Sequence, residues 1–330
     1  LRLSAQPLAF DEDCVTMTSL VATQTSRQSR RRTGSLRRNE ALTGLLFVLP
    51  WIIGLLVFTA YPIISSVYLS FTDYSIVKSP RWVGLDNYRT MFSTDPLFWT
   101  AVKNSAWFAI VSVPLRLAIA FLLALLLSLN VRFISAYRTF FYLPALVPPV
   151  AGTIVFILMF DARNGLLNQG LGLVGIDQIG WLTDPTWSKP AIVILSLWGL
   201  GVDSLIFLAG LKDIPQDLIE AASLDGAGPW QRMLRITLPL ITPIILFNLV
   251  MGVIGSFQVF TQALVIGGPD GRPLDSTLMY MVLIYRNAFR YFSMGYASAL
   301  SVVLFLAVLA VTLVIFRSSR WWVYYEGDSK

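Results

Sequence analysis

Six stretches of the chain alternate with polar connections and are apolar enough to be read as continuous helices: about 42–70, 105–129, 139–160, 190–211, 239–266 and 295–316. Each reaches the roughly 20 residues a helix needs to cross the hydrocarbon core of a bilayer. Each must be helical, because an isolated strand in lipid leaves its backbone groups unpaired. The pattern predicts an all-α membrane protein with six transmembrane helices, residues 41–320 forming one transmembrane domain. The third stretch carries Pro144, Pro148 and Pro149, breaks that survive in a membrane only where neighbouring helices or a cavity satisfy the freed carbonyls. That helix is expected inside the bundle.

Residues 1–40 are rich in Ser, Thr, Gln and Arg and read as a disordered basic tail. Met17 is a candidate initiator, so 1–16 are set aside. A cleaved signal peptide is the competing reading of this segment and the run after it. That run is longer than the roughly 7–15 residues of a signal h-region and has no small-residue cleavage pattern. Residues 321–330 are expected to form a cytoplasmic C-terminal tail.

Composition narrows the function. The chain is 55% hydrophobic and 13% charged, against about 25% charged in soluble domains, which argues against a soluble enzyme. One cysteine, Cys14, excludes an intrachain disulfide, and the lack of histidine excludes Ser-His-Asp chemistry and the common zinc sites. No catalytic or metal-ligating residues are expected. With the N-terminus inside, fourteen basic residues fall in inner segments and nine in the longer outer loops, which places both termini in the cytoplasm. Six tail arginines carry most of that bias. The aromatic residues Trp82, Tyr88, Phe92, Phe98, Trp99, Trp181 and Trp187 of the outer loops form either an interfacial belt or a docking surface for an external partner.

Two ionisable residues lie deep in apolar spans, Arg116 in the second and Asp203 in the fourth. At a helix centre each costs about 2.5–3.5 kcal/mol, so neither should face lipid. Counted from Asn104 and Pro190 their depths are roughly 18 and 20 Å at a 1.5 Å rise, so they either pair or are satisfied separately. The fifth span offers Asn248, Ser256, Phe257, Gln258, Phe260 and Thr261. Asn248, Phe257 and Thr261 are expected toward one side, as a solute path or as polar contacts between helices. Asp161, Arg163 and the stretch 165–175 read as an outer loop.

The connection between the fourth and fifth spans, 212–238, has a more specific pattern. Pro215 fits the first turn of a short helix through Leu224, Gly226 supplies a turn, Pro229 opens a second short helix and Pro239 suits the start of the fifth span. Glu220, Asp225, Arg232 and Arg235 would then be available to a cytoplasmic partner, with Ala221 and Ala222 allowing a surface to approach closely.

These residues spell E-A-A-x3-G-x9-I-x-L-P, from Glu220, Ala221 and Ala222 through Gly226 to Ile236, Leu238 and Pro239. That pattern resembles the signature of the permease subunits of binding-protein-dependent ABC importers, the maltose and glycerol-phosphate type in particular. Further similar patches are Phe207-Leu208-Ala209-Gly210-Leu211, Gly267-Gly268-Pro269, Ala60-Tyr61-Pro62 and the run from Val83 to Tyr88; the likeness covers about 42–320. The resemblance implies the type I importer fold, a plasma or inner-membrane location, and import of a sugar or sugar derivative by alternating access. It also implies a second homologous permease, two ATP-binding subunits and an extracytoplasmic sugar-binding protein as partners, with membrane lipid around them and no nucleic acid. The E-A-A loop would be the coupling helix on the ATPase. No cofactor is expected on this chain: none of its lysines ends a Gly-Lys-Ser/Thr phosphate loop, so ATP and magnesium would belong to the partner. An ion-gradient transporter is the alternative, and would need an inverted repeat and a coupling-ion site. A channel or membrane enzyme would need a filter segment or more titratable chemistry.

Overall fold

The computed structural model describes residues 43–324, so the basic tail, Cys14 and the last six residues lie outside the described residues. The chain divides into two compact units, with the boundary at Ser65/Ser66. The described part of the first is the bulk of helix α1 (Thr43–Leu69), which ends in the second. Pro62 has no N–H to give to the turn behind it. The ladder widens there, and Tyr61 donates five residues back to the Leu56 carbonyl.

In the second unit a hairpin of β1 (Thr72–Ser75) and β2 (Lys78–Trp82) pairs antiparallel, Thr72 opposite Trp82. It is followed by α2 (Asp86–Ser93) and α3 (Pro96–Ser128). The second span therefore begins nine residues before its apolar run. Asp95 caps it by accepting from the Leu97 N–H at 2.9 Å, and Pro96 takes the first-turn position where its missing N–H costs nothing. The small residues Ala101, Ser105, Ala109, Ser112, Ala120 and Ala124 are buried along one side of α3, the kind of stripe that lets membrane helices approach closely. Phe98 and Phe108 pack with Met91, Leu278 and Leu300 at one end, and Ala120 and Ala124 with Phe207 and Ile241 at the other.

The third and fourth expected spans are both bent. Helix α4 (Ile134–Leu146) meets α5 (Pro149–Met159) at 98°, and after α6 (Leu166–Leu173) helix α7 (Pro185–Leu197) meets α8 (Gly201–Asp213) at 49°. Four helices can cross a membrane alone, and the bent pairs supply two more crossings if each counts as one. The stretch expected inside the bundle is enclosed in this chain only in part: Gly152, Thr153 and Phe156 of α5 are buried, whereas in α4 Phe140 is 70% exposed and Leu143 and Leu146 are exposed beside it. Beyond them are α9 (Gln216–Leu224), α10 (229–240), α11 (Thr242–Gly267), α12 (280–290) and α13 (Met294–Ser319).

The loops hold more structure than hydropathy indicates. Stretch 165–175 contains α6, anchored by Asn168, whose side chain donates to the Ala162 and Ile179 carbonyls and accepts from Trp181 Nε1. Asp161 caps the preceding turn through the Asn164 N–H. Of the outer aromatic residues, Phe98 and Trp181 are buried in the core, whereas Trp82, Phe92, Trp99 and Trp187 remain exposed.

Candidate functional site

Both bends open onto one cavity of about 560 Å³. The corner between α4 and α5 contributes Pro144, Val147 and Pro149, and the corner between α7 and α8 contributes Trp198 and Gly199. Irregular backbone at membrane depth is tolerated where it lines such a space. Two glycines make the corners fit. A Cβ on Gly201 would stand 2.2 Å from the Phe141 carbonyl oxygen, and one on Gly152 would stand 2.7 Å from the Trp198 ring. Trp198 also packs against Phe156, ring centres 5.3 Å apart.

Arg116 and Asp203 both line this cavity, and the structure brings them together: Arg116 Nη2 donates to Asp203 Oδ2 at 2.7 Å. Their side chains are 33% and 27% exposed, so the pair is open to the cavity rather than sealed. Arg116 lies four residues after Ser112 and four before Ala120, on the small-residue side of α3, and helical spacing alone turns it away from lipid.

The fifth span is only partly as expected. Gln258 lines the cavity together with Ser256. Asn248, Phe257 and Thr261 are not among the lining residues: buried Asn248 donates to the Ile244 carbonyl of its own helix at 3.2 Å. The extrapolation fails first on the helix itself, because the step from Asn248 to Phe257 is about two and a half turns and sets them on opposite sides, and then because regular helix stops at Phe257 and Phe260 (φ −130°, ψ −62°) leaves helical geometry before Thr261 restarts it. Sequence reasoning missed other lining residues, among them Ser112, Trp198 and Gln262. The helical spacing i, i+7, i+11 from Ser105 through Ser112 to Arg116 could have found the first. Beside the cavity, an apolar groove of about 590 Å³ shares Pro144, Val147 and Trp198 with it.

The second candidate element is 212–240. Helix α9 begins after Pro215, which is the capping residue and not part of the first turn. It ends at Gly226, φ +80°, where the Ala227 N–H bonds the Ala222 carbonyl at 2.9 Å, a left-handed stop that glycine adopts without steric cost. Gly228 and Pro229 open α10, with Gln231 Oε1 accepting from the Gly228 N–H. Pro239 does not start the fifth span. It follows a widened turn in which Leu238 donates to the Met233 carbonyl, and a break at Ile241 separates it from α11. Ile236 and Leu238 are half-buried at this joint.

The face of this element is open. Leu224 is 90% and Trp230 72% exposed, with Leu218 and Leu234 beside them in sequence also exposed. Glu220, Ala221, Asp225 and Arg235 are exposed and Ala222 half-buried. Arg232 is turned back into the element, donating to Ser223 Oγ at 2.6 Å, so it braces the turn between the two helices.

Residues 116–322 match the family described as binding-protein-dependent transport system inner membrane component. The chain belongs to that family. The permease is 43% identical over 297 residues to the probable ABC transporter permease protein YesP of Bacillus subtilis, covering 89% of this chain and 95% of YesP. It is 35% identical to the lactose transport system permease protein LacF of Rhizobium radiobacter, covering 87% and 97%. In structure it matches a chain of a bacterial ABC transporter that imports the acidic polysaccharide alginate, with TM-score 0.74, 28% identity, and 88% and 98% coverage. The fold is that of an ABC importer permease. This chain is an inner-membrane transport component, and the ATPase is a separate subunit.

Proposed function

We propose that this permease carries a sugar or sugar derivative into the cell by alternating access, through the cavity at the two helix corners. Lactose and alginate, named for two of its relatives, are both saccharides. In this reading an extracytoplasmic binding protein delivers the solute and a second, homologous permease completes the path. Two ATP-binding subunits, holding ATP and magnesium, seat against 216–240. Both termini are cytoplasmic, on the same side as that element.

The observation that carries the reading is the exposed apolar pair Leu224 and Trp230 on a helix, turn, helix element of E-A-A spacing. Large apolar side chains standing free next to exposed carboxylates and an arginine suit a protein groove better than bulk water. Binding to such a groove biases two packings of the spans, which is how work done in the ATPase becomes a change of access.

Gly226→Val and Glu220→Ala in the complete importer test the coupling. Uptake into proteoliposomes and binding-protein-stimulated ATPase should both fall by about tenfold or more, equivalent to at least ~1.4 kcal/mol of lost coupling. Unaltered uptake and stimulation in complexes that assemble normally would overturn it.

A further inference from the structure

The charges lining the cavity cancel. Arg116 and Asp203 are its ionisable lining residues, and they are bonded to each other at 2.7 Å. The polar groups left for a solute are hydroxyls and amides: those of Ser112, Thr153, Ser196, Ser256, Gln258 and Gln262. Ser112 is 1% exposed, and its Oγ has no hydrogen-bond partner among the described residues. A buried hydroxyl in that state favours a ligand that both donates and accepts. Trp198 adds an apolar ring wall of the kind that packs on the C–H face of a pyranose.

We infer that the cavity selects uncharged saccharides, and that Asp203 is the residue that sets this selectivity by occupying the Arg116 guanidinium. The inference rests on the sugar-path reading above. A carboxylated sugar would have to displace a carboxylate fixed on α8, or lie beside it with two anions sharing one cation, and like charges held this close disfavour binding. A neutral sugar leaves the ion pair intact and uses the hydroxyls and amides. Freeing the guanidinium should therefore change the charge class accepted, because an unpaired arginine is a strong carboxylate receptor.

The test uses the complete importer complex in lipid nanodiscs without its binding protein, so that the permease alone chooses. Lactose, maltotriose and arabinotriose are titrated beside di- and trigalacturonate, with binding read by calorimetry. The wild-type complex should bind at least one neutral sugar and the uronates about tenfold more weakly or not at all. Asp203→Asn should gain uronate binding by about tenfold or more, and the gain should fade at high salt. The charge-swapped double variant Arg116→Asp, Asp203→Arg keeps the pair neutral and should behave as wild type, which separates selectivity from misfolding. Preferential binding of uronates by the wild type, or no gain in a folded Asp203→Asn complex, would overturn the inference and leave the sugar path standing. Binding of neither class by any complex that still couples ATPase activity would remove the cavity as the path, and the inference with it.

Discussion

Proline interrupts a helix both at the cavity wall and in the exposed element, with different results. At the cavity Val147 precedes Pro148 and Pro148 precedes Pro149. Proline disfavours helical geometry in the residue before it, and here both preceding residues sit extended, at ψ 128° and 135°, and the axis turns by 98°. In α10 a single Pro239 removes one donor. The ladder answers by reaching five residues back from Leu238 to Met233, and the helix runs on to Leu240. Two consecutive prolines make a fixed corner that must be packed or lined. One makes a loosened turn that keeps its direction at the joint between the exposed face and α11.

The largest expected effect breaks the fixed corner. Gly201→Val pushes side-chain atoms into the backbone carbonyl of Phe141, which cannot move aside as a side chain could. It should destabilise the purified complex by about 3 kcal/mol or more, read as a lowered thermal midpoint. Arg116→Met strands the Asp203 carboxylate. A fully buried orphan would cost about 3–5 kcal/mol, but this pair is about one-third exposed, and about 2 kcal/mol in denaturant titration is expected. Gly226→Ala meets no atoms and bears only the backbone cost of φ +80°, about 1 kcal/mol. Trp230→Ala should change stability by less than about 0.5 kcal/mol while lowering stimulated ATPase activity. If it instead destabilised the permease alone as much as Gly201→Val, the contrast between a packed corner and an open face would fail.

Much of this was legible in the residues. Length and apolarity mark the four long spans and the two bent pairs, and the spacing from Glu220 to Pro239 marks the helix, turn, helix element, with Gly226 and Pro229 in the roles their chemistry demands. Helix ends were less legible, because α3 and α7 begin at the caps Asp95 and Asp184, outside the apolar runs. The hairpin at 72–82 was missed, since two short strands with a proline among them carry little periodic signal. The cavity was read only in part. Arg116, Asp203 and Gln258 follow from polarity inside apolar spans, but the facing of Thr261 depends on a break after Phe257 that no proline or glycine at that point announces. The outward placement of α4 depends on a corner whose angle comes from two consecutive prolines.

Pro144, Val147 and Trp198 belong to the cavity and to the apolar groove at once. Insulation between a compartment fit for a solute and one fit for hydrocarbon is therefore a single side chain thick along that stretch. Whatever rearranges the two corners must carry this partition with it intact, so the indole of Trp198 acts as a seal as well as a wall.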